Sequence, residues 1–182
     1  SGATLNKTDF KIGSGAYSFD GDSDYISFSS SFILNKSSSS ICFWLFPKGN
    51  PPDNYVLRQH ILSNNNQYTT GSWQHFVIIK SGSVGRVYKN GVVLPKATNE
   101  SLNNPTTSAR SLLIGNYNSG GWNFNGLLDD IRIYNYARTA DEIRLDYNAG
   151  FGAKFGPSGK ECKDDPASCI SEGLVGYWGF DE

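Results

Sequence analysis

The chain has 182 residues, a length at which one domain with a single sizeable core is expected. Its formal net charge of -1, from 16 basic and 17 acidic residues, argues against nucleic acid or an anionic membrane surface as a partner. Glycine (20 residues) and aromatic residues (14%) are abundant, as in proteins whose short strands are joined by tight turns. The sequence has no run of about 20 apolar residues, so it predicts no membrane insertion.

The N-terminal third of the chain has the two-residue period of β-strands. The segments GAYSFDG and DYISFS carry Tyr17 and Phe19, then Ile26 and Phe28, at alternating positions. The segment SSICFWLFPKG is apolar at consecutive positions. It therefore predicts a strand that is buried on both faces.

Further strands follow in the middle of the chain. GSWQHFVIIKSG predicts one strand, and GRVYKNGVVL predicts a hairpin that turns at Asn90-Gly91. That dipeptide tolerates the two positive φ angles of a type I′ turn. After an Asn- and Pro-rich loop at 99–107, the segments SLLIGNY and FNGLLDDIRIYNY predict two more strands.

A single short helix is predicted after these strands. Thr139 is the expected N-cap, Glu142 its capping-box partner and Gly150 the stop signal. Glu142 and Asp146 have helical spacing, and we expect them on a solvated face. The Gly-, Lys-, Pro- and Asp-rich segment 151–172 is interpreted as a linker that leads to one more strand.

These segments, in this order, resemble the laminin-G-like branch of the concanavalin A-like lectin/glucanase superfamily over roughly 13–150. The resemblance is carried by YSFDGDSDYISF, ICFWLFPKG, GSWQHFVIIKSGSVGRVYKNGVVL and LLIGNYNSGGWNFNGLLDDIRIYNYARTADEI. It implies an all-β fold, a jelly-roll sandwich of two antiparallel sheets, with one short helix. The chain departs from the family between Phe46 and Trp73, where such domains usually carry two or three more strands.

The resemblance also bears on the last segment, GLVGYWGFDE at 173–182. Domains of this type typically begin with a similar strand, whereas here the strand stands at the end. Either it completes the sandwich formed by 1–150, which we expect, or it is the first strand of a next repeat. Both interpretations imply a parent protein with tandem modules, and the strand could also enter a neighbouring copy.

Two groups of aspartates suggest a cation site. FDGDSDY and LLDDIRIY contain five of them: Asp20, Asp22, Asp24, Asp129 and Asp130. Oxygen ligands in loops suit Ca²⁺, and the resemblance implies that relatives often hold a structural calcium with loop acids. We expect Asp20 and Asp130 to contribute most. The alternatives are ordinary turn chemistry for the first group and, for the second, pairing with Arg132 or capping of a turn.

The loop GNYNSGGWNFNG has the residues that sugars need, since aromatic rings stack on sugar faces and amides bind hydroxyl groups. The candidate ligand residues are Asn116, Tyr117, Asn118, Trp122 and Asn123. The alternative is that Trp122 covers the edge of the core.

The sequence gives little support for catalysis. The Glu-x-Asp-x-Glu strand that the resemblance would imply for a glucanase is not present, and glycosidases need a facing pair of carboxylates. His75 lies in an apolar strand, where a packed histidine is expected. His60 lies in a loop and carries no signal.

The cysteines bear on the compartment. Cys162 and Cys169 stand in the turn-forming segment CKDDPASC, at a spacing that a disulfide can close, whereas Cys42 is expected to be unpaired. Such a disulfide indicates an oxidising environment, which means a secreted or cell-surface protein. The sequence therefore predicts a non-catalytic binding or adhesion module for a glycan or an extracellular protein. The alternative is a structural spacer repeat.

Overall fold

The computed structural model describes residues 2–28, 37–48, 69–94, 112–115, 123–149 and 174–178. Within these ranges the chain forms ten strands and one helix. The strands are β1 (Thr4–Asn6), β2 (Ala16–Asp20), β3 (Ile26–Phe28), β4 (Ser38–Pro47), β5 (Gln74–Ser81), β6 (Val84–Lys89), β7 (Val92–Val93), β8 (Leu112–Ile114), β9 (Asn125–Tyr134) and β10 (Leu174–Trp178), and the helix is α1 (Ala140–Ala149).

The strands form a large antiparallel sheet and a two-stranded one. The order in the large sheet is β1-β2-β9-β4-β5-β6-β7, with β10 also paired to β9, and β3 pairs with β8 in the small sheet. The all-β architecture with one short helix is therefore confirmed. The segment between Phe46 and Trp73 that departs from the family falls mostly outside the described residues, as do His60, Gly150, Cys162, Cys169 and the linker 151–172.

The predicted double burial of β4 is confirmed. Ile41, Phe43 and Leu45 point into the main core on the inner face of the large sheet, which we define as the face that packs against the small sheet through Ile114. Cys42 points to the opposite, outer face and packs there with residues of β5, β9 and α1. One strand therefore contributes to two hydrophobic clusters, because successive side chains alternate between faces.

A β-bulge in β9 keeps both of its halves in register with the core. Cys42 lies opposite Arg132 and Trp44 opposite Asp129, so two residues of β9 face one residue of β4. Asp130 has a φ of 51°, in the left-handed region. The extra residue lets Leu128 and Ile131, three positions apart, both reach the main core.

Two local predictions are confirmed by the backbone. Asn90 and Gly91 have φ angles of 51° and 78°, as a type I′ turn requires, and they join β6 to β7. The capping box also forms. The Glu142 amide donates to Thr139 Oγ1 at 3.3 Å, and the Thr139 amide donates to Glu142 Oε2 at 2.7 Å.

The C-terminal segment forms strand β10 beside β9. Leu174 lies opposite Tyr134 and Trp178 opposite Ile131, in antiparallel register. Since β4 lies along the other side of β9, β10 continues the line of β2, which pairs with residues 125–128. Strand β1, which pairs with β2, was not predicted from the sequence.

Candidate functional site

The first aspartate group forms the turn between β2 and β3, called here the acidic turn (residues 20–24). Asp20 Oδ1 accepts hydrogen bonds from the amides of Asp22, at 2.8 Å, and Ser23, at 3.2 Å. The Asp22 hydrogen bond is the largest cause that holds the pKa of Asp20 below its usual range. Asp24 is buried, and its Oδ2 accepts from the Asp20 amide at 3.0 Å. This is the ordinary turn chemistry that was the alternative to a metal site.

Two glycines allow the acidic turn to pack against its neighbours. Gly21 has a φ of +84°, and a Cβ there would lie 2.8 Å from the Cβ of Asn125. Gly115, at the end of β8, has a φ of +92°, and a Cβ there would lie 2.3 Å from the ring of Phe19. The same Cβ would lie 3.2 Å from the main-chain oxygen of Asp24. The acidic turn, the end of β8 and the start of β9 therefore meet at one edge of the sandwich.

Asn123 is the one predicted sugar-binding residue within the described ranges. It is buried, its Nδ2 donates to the main-chain oxygen of Asp22, and its Oδ1 has no hydrogen-bond partner among the described residues. The amide of Phe124 donates to the Gly115 oxygen at 2.8 Å. The two residues that flank 116–122 thus lie beside the acidic turn, whereas Asn116, Tyr117, Asn118 and Trp122 themselves fall outside the described residues.

The oxygen atoms at this edge are of the type that a hard cation prefers. They include the carboxylates of Asp20 and Asp24, the main-chain oxygen of Asp22 and Oδ1 of Asn123, which is unpaired among the described residues. The described ranges contain no group of three or more His, Cys, Asp or Glu residues that could hold a metal ion. A cation here would therefore depend on amide and main-chain oxygens as well as on carboxylates.

The second aspartate group lies elsewhere, so the expectation that Asp20 and Asp130 act together is not met. Asp20 pairs with Asn125, and Asp130 lies five positions further along β9, which corresponds to about 16 Å at the usual rise per residue. Asp129 Oδ2 instead accepts hydrogen bonds from the amides of Lys11, at 2.8 Å, and Ile12, at 2.9 Å. The structure thus separates the five aspartates into two places.

Asp130 belongs to a set of buried charges between β9 and α1, which we call the outer-face ion network (Asp130, Arg132, Arg138 and Asp146). Arg132 Nη2 lies 2.9 Å from Asp130 Oδ2, and Arg138 Nη2 lies 2.8 Å from Asp146 Oδ2. Arg132 Nη1 links the two pairs at 3.8 Å from Asp146 Oδ1. Pairing of Asp130 with Arg132 was the alternative to a metal-binding role.

Burial is the largest influence on the two carboxyl groups of this network. It raises the pKa of Asp130 to about 6 against the opposing effect of Arg132, and it raises the pKa of Asp146 in the same direction. A raised carboxyl pKa is also a feature of general acids, but structural ion pairs produce the same shift. Because Asp146 of α1 is paired with Arg132 of β9 and with Arg138, the arrangement holds the helix on the sheet.

The network corrects the expectation of a solvated helix face. Asp146 is buried, and Glu142 accepts a hydrogen bond of 2.6 Å from the Tyr136 hydroxyl besides capping the helix. Arg138 was not predicted as part of this network, and its guanidinium lies 4.3 Å above the ring of Tyr134. The available signal was the position of Asp146 three residues after the buried Ile143, on the same side of the helix.

His75 is a packed histidine, as predicted. It is 3% exposed, and burial lowers its pKa to about 3. Its ring centroid lies 5.1 Å from that of Trp44, and the Trp44 ring stacks with Tyr147 of α1 at 5.8 Å. Cys42 is also buried and free, as expected.

Comparison with known proteins supports the fold. Residues 56–144 match the laminin-G family model described as the concanavalin A-like lectin/glucanases superfamily. This match confirms the resemblance and the jelly-roll class. No curated protein sequence matches the chain. Among the described residues, no helix has the length and apolar character needed to cross a membrane.

Solved structures share the fold at low sequence identity. Domain 4 of AbnA, a GH43 extracellular arabinanase from Geobacillus stearothermophilus solved with arabinotriose, has a TM-score of 0.57 at 22% identity, over 81% of this chain and 82% of that one. A candidate carbohydrate-binding protein from Bacteroides ovatus has a TM-score of 0.62 at 16% identity, over 91% of this chain and 51% of that one. A Trypanosoma rangeli sialidase mutant with trans-sialidase activity has a TM-score of 0.60 at 14% identity, over 83% of this chain and 30% of that one.

Proposed function

We propose that this protein is a non-catalytic carbohydrate-binding or adhesion module, because residues 56–144 match the family model of the concanavalin A-like lectin/glucanases superfamily. We further propose that it acts outside the cell and that its binding surface is the edge beside the acidic turn. The observation that carries this proposal is the hydrogen bond between Phe124 and Gly115. It joins the residues on either side of the segment 116–122 beside the acidic turn, and we propose that the aromatic and amide residues of that segment contact the sugar.

The contacts of the aspartate carboxylates favour binding over catalysis. Asp129 and the carboxylates of the outer-face ion network are held by main-chain amides and arginines. At the acidic turn, the carboxylates of Asp20 and Asp24 accept hydrogen bonds from the turn's own amides. Arabinotriose in the arabinanase domain makes short arabinose oligomers a natural first ligand to test.

A calcium ion at the acidic turn is part of the proposal. The buried Oδ1 of Asn123 is an acceptor that lacks a partner among the described residues, which fits an oxygen-ligated cation. Asp20, Asp24 and Asn123 would hold the ion. When bound, it would neutralise the carboxylates and fix the turn against the sugar-binding loop. Asp129 and Asp130 are not part of this site.

Glycan binding tests the main proposal. Arabino-oligosaccharides and a broad glycan array should identify a ligand, and Trp122→Ala should weaken its binding about tenfold through loss of ring stacking. Phe10→Ala, which removes an exposed aromatic residue from a different segment, is the matched control and should leave affinity unchanged. If the chain binds neither a glycan nor a matrix protein, it is a structural spacer and the proposal is wrong.

Scanning calorimetry with and without Ca²⁺ tests the cation site separately, because it measures the melting temperature. Binding should raise the melting temperature, because a ligand that binds only the folded state stabilises it. Asp24→Asn should abolish this shift, whereas Asp141→Asn, on the exposed surface of α1, should leave it intact. An unchanged melting curve on removal and return of Ca²⁺ would contradict the site without affecting the glycan result.

A further inference from the structure

We propose that strand β10 is exchanged between two copies of this chain, so that Leu174–Trp178 of one copy pairs with β9 of the other. The basis is how β10 is attached to the sheet. Its partners are residues 131–134 of β9, and it pairs with no second strand among the described residues. A single ladder of main-chain hydrogen bonds is therefore the strand's connection to the large sheet.

The slot that receives β10 is defined by its neighbours. β2 pairs with residues 125–128 of β9, and the bulge at Asp130 ends that pairing line before β10 begins. Without β10, residues 131–134 would present an open edge on the side of β9 opposite β4, which pairs with residues 132–134. Such edges template the addition of strands, and main-chain hydrogen bonds direct that addition. The slot therefore accepts the same strand from either copy.

The connection to β10 is long enough for exchange. Residues 150–173 separate the end of α1 from the start of β10. A connection of about two dozen residues spans up to about 80 Å when extended, compared with a radius of gyration of about 16 Å for a domain of this length. The reach of the strand therefore extends to the β9 edge of an adjacent copy.

The second copy is the occupant that fits best. An identical strand remakes every contact of the intramolecular pairing, and a net charge of -1 gives little repulsion between copies. The protein concentration then determines whether β9 pairs with the strand of its own chain or with that of a second copy. The chain's own strand acts at an effective concentration on the order of 1 mM, so exchange increases as the protein concentration approaches that value.

The test uses the full chain with p-benzoylphenylalanine in place of Tyr177, which lies opposite Arg132. Unlabelled and ¹⁵N-labelled chains are unfolded together and refolded at about 10 µM and about 1 mM. Light scattering on the unmodified chain should show a dimer fraction at least about tenfold higher at the higher concentration. Irradiated dimers should give cross-links between residue 177 and 131–134 that join one labelled and one unlabelled peptide.

The control places the same photoreactive residue at Tyr25, an exposed aromatic outside the slot. It should give no mixed-label cross-link to 131–134. Dimers whose residue-177 cross-links carry one label only would join through another surface. A chain that stays monomeric at both concentrations keeps its own strand. Either of these results overturns the proposal.

Discussion

The two faces of the large sheet are built from the same strands but from different chemistry. The inner face is apolar throughout its buried cluster, with Phe43 and Phe76 stacked at 6.0 Å near its centre. The outer face combines a small apolar cluster around Ile143 with the outer-face ion network and with His75. The inner face is covered by β3 and β8, and the outer face is covered by α1.

The two faces have different roles: the inner face stabilises the fold, and the outer face determines the position of α1. Burial of an apolar side chain contributes about 1.5–3 kcal/mol at any pH, so the inner face supplies most of the free energy of folding. Buried ion pairs gain little over apolar residues of the same shape, but losing one partner is costly. The outer face therefore determines where α1 lies, and its strength depends on pairing and on pH.

The largest expected effect is at the centre of the inner face. Phe76 is 0% exposed, and Phe76→Ala should lower the free energy of unfolding by about 3–5 kcal/mol through lost burial and a cavity. Chemical denaturation measures it. Val92→Ala, at a residue that is 66% exposed, is the control and should stay within about 0.5 kcal/mol. A Phe76→Ala loss below about 1 kcal/mol would show that the inner cluster is not the main source of stability.

The next largest effect should come from breaking one buried ion pair. Arg138→Met leaves Asp146 charged and buried, which should cost about 3 kcal/mol. Replacing both partners, with Arg138→Met and Asp146→Leu, should recover most of that loss. The measurement is again denaturation, with Trp44 fluorescence as a probe of α1, since Trp44 stacks with Tyr147.

An exposed pair on the same helix provides a matched control. Arg144 and Asp141 lie 2.7 Å apart with side chains 61% and 87% exposed, so Arg144→Met should cost less than about 0.5 kcal/mol. The two arginines thus differ in burial rather than in the distance to their partners. Equal losses for Arg138→Met and Arg144→Met would contradict the role assigned to the outer face.

Local signals explain which parts of the fold were predictable. The alternation of β4, the Asn90-Gly91 turn and the Thr139 capping box depend on neighbouring residues, and all three are confirmed. The burial of Asp146 was predicted wrongly, because its arginine partners come from β9 and from the segment before the helix. A strand of three residues such as β1 is too short to show a detectable two-residue alternation.

In the candidate site, too, local contacts were predictable from the sequence and contacts between distant segments were not. The hydrogen bonds within the acidic turn follow from DGDSD alone, since an Asp side chain reaches amides two residues on. The contact of Asn123 with Asp22 depends on the pairing of β2 with β9, which joins residues about a hundred positions apart. The register of β2 with β9 also determines that Asp20 and Asp130 lie apart.

The pH dependence of stability should distinguish two buried groups of the outer face that act in opposite directions. His75 has its pKa lowered from 6.5 to about 3, so acidification below pH 6.5 protonates the unfolded state first and lowers stability. Asp130 has its pKa raised from 3.8 to about 6. Its protonation therefore favours the folded state, and its contribution is lost as pH rises from about 4 to 6.

Variants separate the two contributions. From about pH 4.5 to 6, the free energy of unfolding of the wild type should rise by about 2 kcal/mol relative to His75→Phe and fall by about 1.5 kcal/mol relative to Asp130→Asn. Denaturation at half-unit pH steps gives both difference curves. Two curves of the same sign would be incompatible with this account. The inner-face variant Phe76→Ala should give a difference that does not change with pH.

The smallest effect should come from the cap of α1. Thr139→Ala removes the acceptor for the Glu142 amide and the hydroxyl that donates to Glu142 Oε2 at 2.9 Å, at a cost of about 1 kcal/mol. Thr139→Ser keeps both bonds and is the control. Hydrogen exchange should become about fivefold faster in 140–149 than in the wild type, with smaller changes in β4 and β5, because local openings of the helix need not open the inner face. Equal acceleration in the helix and in the central strands would instead mean that the two faces of the sheet unfold as one unit.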